Sequence, residues 1–398
     1  MKILTSLLLV FIPLIACSQE NTDYNFHQNL LTIDLHIDIP IKLVRDSSYN
    51  LENDNSLIGS SSQTDFPRME KGGLDAAFFI VWTAQGERDS LGNKLANEKA
   101  NKILETIKTR LNSSLPYAEL ALSSKDVLRI NSLAKHPILI GMENGYPIGK
   151  DISQIEHFYN LGIRYLTLCH TKDNDICDSS TDETKDDGLS PFGVEVINEL
   201  NRLGIIIDVS HISDSSFYQV LKHSKAPVVA THSNVRNLCN HPRNMTDEMI
   251  KLLAKNGGII GINFVDEYLK TPEPNPAKDS VVSRIKKEYS LPNLTEKEKE
   301  TLAKEWDEIH TKFPAKLASV SDVADHIDYV VKLVGINHVA IGSDFDGGGK
   351  VKGIKDTSEI GNLTLELQKR GYSKDEIEKI WSGNFLRVFS QVENIAKK

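Results

Sequence analysis

Short apolar runs that alternate with amphipathic segments constrain the fold of this 398-residue chain more than any other feature. Eight runs occur, at residues 31–39, 76–82, 137–143, 163–168, 205–211, 227–232, 258–264 and 338–344. Segments between them, such as 194–203 and 247–255, repeat apolar residues at helical spacing. Apolar strands buried on both faces and separated by helices are typical of parallel sheets. The pattern predicts an α/β fold, a (β/α)8 TIM-like barrel with helical elaborations, and a doubly wound open sheet is the competing architecture.

The composition fits a large globular core and argues against one class of partner. Hydrophobic residues make up 40% of the chain and charged residues 25%, which is an ordinary globular balance. The net charge of -9 leaves no basic footprint, so nucleic acid is not an expected partner.

The N-terminus has the layout of a bacterial export signal. Lys2 supplies a positive charge, residues 3–15 form an apolar run too short to span a membrane, and a small residue precedes Cys17. This pattern predicts a lipoprotein signal over residues 1–16 and lipidation of Cys17, with an ordinary signal peptide as the alternative. Residues 17–30 would form a tether and residues 31–398 the barrel. We expect the protein in the bacterial cell envelope, on the periplasmic or outer-membrane face, attached to the membrane through this anchor only.

One long charged stretch, at about residues 266–317, interrupts the alternation after the seventh run and is rich in proline at its start. It predicts a helical insertion, either a lid over a site or, as we favour, a solvated elaboration.

After Cys17 the chain holds three cysteines, Cys169, Cys177 and Cys239, so at least one is unpaired within the chain. A bridge between Cys169 and Cys177 is compatible with their spacing. No Cys-x-x-Cys pattern occurs, so a metal site must use histidines and carboxylates.

Side chains that can bind metals end several of the apolar runs. They are His36, Asp38, Glu143, His170, His211, His232 and Asp344. The carboxyl ends of barrel strands meet at one mouth, where catalytic residues lie. A lone strand-end histidine is more often a hydrogen-bonded rim residue, and a lone acid is more often a helix N-cap. The coincidence of so many favours a site, whereas His136 and His338 begin runs and belong to the opposite face.

The chemistry of these groups suits two zinc ions. Ions about 3.5–4 Å apart need terminal ligands on each ion and a carboxylate that bridges them. We expect His36 and Asp38 at one ion, His211 and His232 at the other, and Glu143 as the bridge. Three protein ligands per ion leave room for water, which the two ions would acidify to a nucleophilic hydroxide.

Two rim residues outside the ligand pairs are candidate catalytic groups. Asp344 can act as general base and later pass the proton to the leaving amine. His170 can stabilise the developing oxyanion. Asp34 shares the strand face of His36 and Asp38, and we expect it one layer deeper, where it supports His36.

The motifs around these positions resemble a known family. They are Asp34-Leu-His-Ile-Asp38, Gly141-Met-Glu-Asn-Gly145, Asp208-Val-Ser-His211, Thr231-His-Ser-Asn234, Gly342-Ser-Asp-Phe-Asp-Gly347, His241-Pro-Arg-Asn244 and Gly383-Asn-Phe-Leu-Arg-Val388. In this order they are similar to the membrane (renal-type) dipeptidases, which are binuclear zinc peptidases of the metal-dependent hydrolase group. The resemblance runs from about residue 31 to residue 389.

The resemblance implies a TIM-like barrel, two Zn²⁺ ions per chain on the ligands given above, and hydrolysis of dipeptides, including those with a C-terminal D-residue. It implies that His170 contacts the substrate and that Asp344 is the acid/base residue and contacts the substrate. It also implies that Arg243 binds the C-terminal carboxylate of the dipeptide, which a guanidinium fork matches bidentately. Members of this family commonly form homodimers.

Two other functions stay open. Another binuclear metal amidohydrolase, acting on cyclic amides or lactams, would share the barrel, although no run offers an obvious lysine as a modified bridging ligand. A non-catalytic peptide-binding lipoprotein would be expected to lack a ligand, and none is missing.

Overall fold

The computed structural model describes residues 25–58, 61–182, 187–271, 274–288 and 318–396, with a few further positions between 295 and 313. The predicted export signal and the lipidation site at Cys17 lie outside the described residues. The predicted tether is described only from residue 25 onward, where the chain already packs on the barrel. His27 is buried between the helices Phe66–Gly72 and Gly361–Lys369.

A single sheet of parallel strands forms the centre of the molecule. The strands are β1 Ile33–Ile37, β2 Ala76–Trp82, β3 Ala118–Leu120, β4 His136–Glu143, β5 Ile163–Thr167, β6 Ile206–Asp208, β7 Val229–Ser233, β8 Ile259–Ile262 and β9 Val339–Ile341. The sheet order is β1-β2-β4-β5-β6-β7-β8-β9, and β3 pairs with β4 outside this path. Each predicted apolar run contains one strand of that path, whereas β3 was not predicted.

The sheet closes on itself between β1 and β9. Ile37 forms a parallel bridge with Phe345. The backbone N–H of Asp38 donates to the carbonyl of Phe345 at 2.8 Å, and that of Asp344 donates to the carbonyl of His36 at 3.0 Å. This closure confirms the predicted (β/α)8 TIM-like barrel and shows that the competing open sheet is wrong. It also places the end of the first run beside the end of the last one.

Helices surround the barrel in the described part of the chain. They are α1 Ile39–Arg45, α2 Phe66–Gly72, α3 Ser90–Ser113, α4 Ser124–Asn131, α5 Ser153–Asn160, α6 Pro191–Leu203, α7 Asp214–His223, α8 Asp247–Lys255, α9 Asp266–Leu269, α10 Pro276–Glu288, α11 Val320–Val334, α12 Gly361–Lys369, α13 Lys374–Glu378 and α14 Asn384–Ala396. Several begin at a side-chain cap, as where Thr246 accepts from the N–H of Met249 at the start of α8. Among the described residues, no helix combines the length and the apolar character needed to cross a membrane.

Helix α14 packs across the amino end of the barrel. The ring of Phe385 lies 5.4 Å from that of Phe78 on β2, and Phe78 in turn lies 4.8 Å from Tyr165 on β5. These buried aromatic rings fill the barrel interior from below. His136 begins β4 and His338 directly precedes β9, and the ring of each forms a hydrogen bond with a backbone carbonyl. Both therefore lie at the face of the barrel opposite the mouth, as predicted. The carboxyl mouth is therefore the open end.

The predicted insertion is described in part. Helices α9 and α10 begin it, and Tyr268 on α9 lines the cavity at the barrel mouth. Whether the remainder of the insertion forms a lid or a solvated elaboration stays a prediction. Cys169, Cys177 and Cys239 are buried free thiols. The bridge between Cys169 and Cys177 that their spacing allowed is therefore not formed.

Candidate metal centre

The carboxyl ends of six barrel strands bring the predicted rim residues together. His36 and His232 lie within β1 and β7, and Glu143 is the last residue of β4. Asp38, His170, His211 and Asp344 follow β1, β5, β6 and β9. All seven belong to groups of three whose ligand atoms lie within 4.8 Å of one another and could hold a cation. The groups are His36 with Glu143 and His232, Glu143 with His170 and His211, and His36 with Asp38 and Asp344.

Glu143 lies at the centre of the cluster. Its Oε1 lies 3.0 Å from Nε2 of His211 and 3.3 Å from Nε2 of His232. Its Oε2 faces the other way, 3.7 Å from Nε2 of His36, which lies 3.4 Å from Oδ2 of Asp38. One carboxylate therefore divides its oxygens between two sets of side chains, which is the geometry expected of a bridging ligand.

Hydrogen bonds behind His36 decide which of its nitrogens faces the cluster. Nδ1 of His36 lies 2.8 Å from the hydroxyl of Tyr165, and that hydroxyl donates to the carbonyl of Leu35. Because the tyrosine proton is used on the carbonyl, Nδ1–H of His36 donates to the tyrosine oxygen, and in the neutral, metal-binding form of the ring it is Nε2 that carries the lone pair. Nε2 of His36 is buried without a hydrogen bond, as is Oδ1 of Asp38.

The same logic applies to His232 on the other side of Glu143. Thr231 donates its hydroxyl proton to Oδ2 of Asp208 at 2.7 Å, and its oxygen lies 2.9 Å from Nδ1 of His232. Nδ1–H of His232 therefore donates to Thr231, and Nε2 presents a lone pair to the cluster. That atom lies 2.9 Å from Nε2 of His211. Nitrogen lone pairs, a carboxylate and buried atoms without hydrogen-bond partners therefore converge on one space. This arrangement fits divalent cations that are bound by histidine and carboxylate ligands.

Charge and burial set the protonation of the cluster. Burial raises the pKa of Glu143, but His170 and His36 outweigh it and hold that pKa well below its usual range. Burial lowers the pKa of His232 to about 3 and that of His211 well below the ordinary value. An ionised glutamate and neutral imidazoles are the forms that bind metals.

His36 and Asp344 differ from this pattern. Burial lowers the pKa of His36, but the carboxylates of Glu143 and Asp38 outweigh it and raise that pKa well above normal. A cation would have to displace this proton. Burial raises the pKa of Asp344 to about 7, which suits a group that accepts and returns a proton near neutral pH. Nδ2 of Asn263 donates to Oδ2 of Asp344 at 2.9 Å and orients the carboxylate.

Two of these side chains project from strained backbone. His211 has a φ of 71° and Asp344 a φ of 63°, in the left-handed region that residues other than glycine rarely adopt. Each such conformation costs on the order of 1–3 kcal/mol, which the surrounding structure must offset. Both residues follow short strands, so the turn aims each side chain back over the barrel mouth.

A buried carboxylate, Asp208, organises the second layer and was not singled out as functional from the sequence. It accepts hydrogen bonds from Thr167, from Thr231 and from the backbone of Ser210, and so joins β5, β6 and β7. Asp34, on β1, has a similar supporting role, because its carboxylate accepts from the backbone N–H groups of His36 and Ser343. It was expected one layer deeper, and there it supports His36 through the backbone, while Tyr165 holds the ring.

The cluster forms the floor of a cavity of about 350 Å³. The side chain of His170 is 20% exposed, and its ring lies 4.3 Å from that of His211 and 5.7 Å from that of Trp82. Tyr268 forms the opposite wall. The roles predicted for His170 and Asp344 stay predictions, since both also lie close enough to the cluster to act as ligands.

Arg243 lies beside this cavity in an unusual state. It is 3% exposed, and its guanidinium lies 5.4 Å from the ring of Tyr268. One nitrogen donates to the carbonyl of His232, Nε has no hydrogen-bond partner, and no carboxylate among the described residues pairs with it. A buried guanidinium without a counter-ion is costly unless a ligand supplies one. This placement agrees with the predicted carboxylate-binding role.

The fold and the site together define a class of protein, a parallel (β/α)8 barrel with a candidate metal centre at the carboxyl ends of its strands. Residues 22–398 match the membrane dipeptidase family, peptidase family M19, and the chain belongs to that family. The resemblance inferred from the motifs is thereby confirmed.

Relatives and solved structures agree with this assignment. Dipeptidase 3 of Homo sapiens is 32% identical over 373 residues, which cover 92% of this chain and 66% of that protein. Dipeptidase 3 of Rattus norvegicus is 30% identical with the same coverage. The chain thus spans just under two thirds of the length of these relatives. The crystal structure of the probable dipeptidase PvdM from Pseudomonas aeruginosa is 29% identical, has a TM-score of 0.84 and covers 95% of this chain and 99% of its own.

A more distant structure shares the fold. It is a metallo peptidase from Rhodobacter sphaeroides, liganded with a phosphinate mimic of the dipeptide L-Ala-D-Ala. It is 20% identical to this chain, covers 91% of it and 99% of its own length, and has a TM-score of 0.73.

Proposed function

We propose that this protein is a zinc-dependent dipeptidase that hydrolyses the peptide bond of dipeptides, including those with a C-terminal D-residue. The observation that carries the proposal is the convergence of the Nε2 atoms of His36 and His232 on the two oxygens of Glu143. Membership of the membrane dipeptidase family supports it. His36, Asp38 and Glu143 would hold one zinc ion, and Glu143, His211 and His232 the other.

The two ions would supply Lewis acidity, lowering the pKa of a water molecule and polarising the scissile carbonyl. The chain's own groups do the remainder. Asp344 takes the proton from the attacking water and returns it to the leaving amine. His170 donates to the carbonyl oxygen as negative charge develops there. Both groups project into the same cavity as Glu143, so proton transfer and oxyanion support occur over one substrate position.

Arg243 would limit the length of the peptides that the enzyme accepts. A dipeptide has a free carboxylate one residue beyond the scissile bond, where a guanidinium can pair with it bidentately. A longer peptide would place a neutral amide against the same buried charge. The enzyme should therefore reject tripeptides, because the cost of the unpaired guanidinium is not repaid.

The predicted location also stays a proposal. The lipoprotein pattern before Cys17 supports a lipid anchor in the bacterial cell envelope, and family membership supports a homodimer. Radiolabelled palmitate incorporation that Cys17→Ala abolishes would test the anchor. Light scattering of the residues after the signal would test the dimer.

Metal content and a peptide panel test the function. We expect about two zinc ions per chain, cleavage of dipeptides but not tripeptides, and loss of activity on chelation that zinc reverses. Asp344→Asn should keep both ions and lose turnover; if it loses metal, Asp344 is a ligand. Cleavage of cyclic amides or lactams without dipeptides would favour another metal amidohydrolase. Dipeptide binding without turnover in the zinc-loaded protein would favour a binding lipoprotein.

A further inference from the structure

Arg45 lies on the wall of the catalytic cavity without a counter-ion. It is the last residue of α1, the short helix that begins directly after Asp38, and it lines the same cavity as Trp82 and Asp344. Within the part of the chain that the structure describes, no carboxylate forms an ion pair with it, although Asp46 follows it directly and pairs instead with Lys42 at 3.1 Å. Its guanidinium is therefore available to a ligand.

A second cavity, of about 730 Å³, adjoins the catalytic one and shares Arg45 as a lining residue. Its charged lining residues are mostly basic, and the basic ones are Lys42, Arg45, Arg68, Lys350 and Lys355. Among the described residues, neither of its two carboxylates forms an ion pair with Arg45 or Lys350. Asp356 accepts from Arg68 at 3.3 Å, and Asp346 accepts from the backbone N–H of Gln63 at 2.7 Å.

The basic residues of this second cavity differ in whether they are neutralised. Lys355 pairs with Glu359 at 3.1 Å, and Lys42 pairs with Asp46. Of the described residues, none forms an ion pair with Arg45 or Lys350. Among the described residues, two cations therefore remain without an ion-pair partner. Arg45 lies at the boundary between the two cavities, and Lys350 lies in the wall of the second.

A further lysine increases the positive charge on this side. Nζ of Lys99 lies 4.8 Å from the centre of the Trp82 ring, whose edge faces His170. Burial and the nearby charge of Arg45 lower the pKa of Lys99. Like charges close together destabilise the fold, and a chain with a net charge of -9 has ample carboxylates to neutralise them. Asp344 and Asp346 line the same cavity, but no described carboxylate forms an ion pair with Arg45, so an anionic ligand can fill that role.

The two walls of the catalytic cavity would receive different ends of a dipeptide. Arg243 and Tyr268, which would receive the C-terminal carboxylate, belong to the loops after β7 and β8. Arg45 lies after β1, on the side of Asp38. With the scissile bond over Glu143 between them, the amino-terminal residue is the one that faces Arg45 and the basic cavity.

We propose that Arg45, with Lys350 behind it, forms an anion subsite that selects dipeptides whose amino-terminal residue has a carboxylate side chain. The proposal rests on the dipeptidase function proposed above and names its preferred substrate class. No covalent step is added, since the subsite acts by charge pairing alone. An exposed guanidinium discriminates modestly, and more strongly when the bound substrate excludes water from the pair.

Paired substrates of equal size test the subsite. The zinc-loaded enzyme is assayed with Glu–Ala and Gln–Ala, and with Asp–Ala and Asn–Ala. We expect the acidic member of each pair to have the higher kcat/KM, on the order of tenfold. Arg45→Gln should remove this preference by lowering kcat/KM for the acidic substrates and leaving that for the neutral ones unchanged. Lys350→Gln should have the same effect in smaller measure.

Lys102→Gln is the matched control, because Lys102 is exposed on the same helix as Lys99 and lines neither cavity. It removes one positive charge and should change neither member of a pair. Arg45→Glu should reverse the selectivity, so that Lys–Ala is cleaved faster than Glu–Ala. The subsite is refuted if the wild type cleaves acidic and neutral partners equally, or if Arg45→Gln lowers both alike. If the zinc-loaded wild type cleaves none of these dipeptides, the proposed function itself fails and the subsite falls with it.

Discussion

Nε2 of His211 and Nε2 of His232 lie 2.9 Å apart, both buried, and both within 3.3 Å of the same oxygen of Glu143. His211 follows β6 and His232 lies in β7, 21 residues further along the chain. Because Thr231 fixes the proton of His232 on Nδ1, the facing nitrogen of His232 has no proton to share. A cation between the nitrogens and the carboxylate would bind all three groups at once. This relationship is the strongest structural argument for a metal centre.

The relay from Asp208 through Thr231 to His232 predicts a measurable effect on metal affinity. Thr231→Val keeps the shape of the side chain but removes the hydroxyl that orients His232. We expect zinc affinity to fall by about 10–100-fold, measured by competition with a chromophoric chelator. Thr167→Val is the control, since Thr167 also donates to Asp208 but contacts no histidine of the cluster. Equal losses in the two variants would contradict a specific role for the relay.

Arg243 predicts a loss confined to substrates with a free C-terminal carboxylate. In Arg243→Ala, kcat/KM for a dipeptide should fall, mainly because KM rises. The loss should correspond to on the order of 2–5 kcal/mol of transition-state stabilisation. The amide of the same dipeptide lacks the carboxylate and should lose nothing further. Arg236→Ala is the control, because Arg236 lies in the same loop but pairs bidentately with Asp214. An unchanged kcat/KM in Arg243→Ala would remove Arg243 from the site.

Gly347 predicts that one methyl group can disrupt the centre. A Cβ at this position would overlap Oδ2 of Asp38 and Oδ1 of Asp344. Gly347→Ala should therefore displace a metal ligand and the predicted general base together, lowering both bound zinc and kcat. Gly348→Ala meets only Cγ2 of Val265, at 3.3 Å, and should keep most of both. Metal analysis and initial rates decide between the two, and normal zinc and kcat in Gly347→Ala would count against the described site.

His27 predicts a pH dependence of stability that does not involve the metal. Its Nε2 lies 2.8 Å from the carbonyl of Gly72, and Nδ1 lies 2.7 Å from the hydroxyl of Thr364, which accepts from the indole of Trp381. Because Nε2–H of His27 donates to the carbonyl of Gly72, Nδ1 of the neutral ring accepts the hydroxyl proton of Thr364, and a proton on Nδ1 would displace this hydrogen bond. Burial lowers the pKa of His27 to about 4, below the value of about 6.5 in an unfolded chain.

Between these two pH values the unfolded state binds more protons than the folded state, so stability falls as the pH drops. The contribution of His27 should be fully present above about pH 6.5 and reduced by on the order of 3 kcal/mol at pH 4. His27→Gln can donate to Gly72 and accept from Thr364 without titrating. The difference in unfolding free energy between the wild type and this variant should therefore shift toward the variant as urea titrations move from pH 7 to pH 4.5. A difference independent of pH would show that His27 is not buried in the neutral form.

The eight apolar runs and the rim residues were readable from the sequence because both depend on local pattern. A strand buried on both faces needs a continuous apolar run, and the residue that follows it lies at the mouth whatever the neighbours are. The supporting residues carry no such mark. Tyr165 reads as an ordinary core aromatic and Thr231 as a strand residue, yet each selects the nitrogen that a histidine presents. Arg45 and the short β3 likewise had no sequence signal that set them apart.

By itself the sequence determined the order of the elements, the barrel and the set of rim residues that meet at its mouth, since apolar periodicity and motif order survive without coordinates. Only the tertiary structure decided which atoms face one another. It divided the oxygens of Glu143 between two histidine groups and set the tautomers of His36 and His232. The physical reason is that hydrogen bonds and electrostatic interactions act over a few ångströms and join residues far apart in the chain. Such contacts exist only after the strands have closed into the barrel.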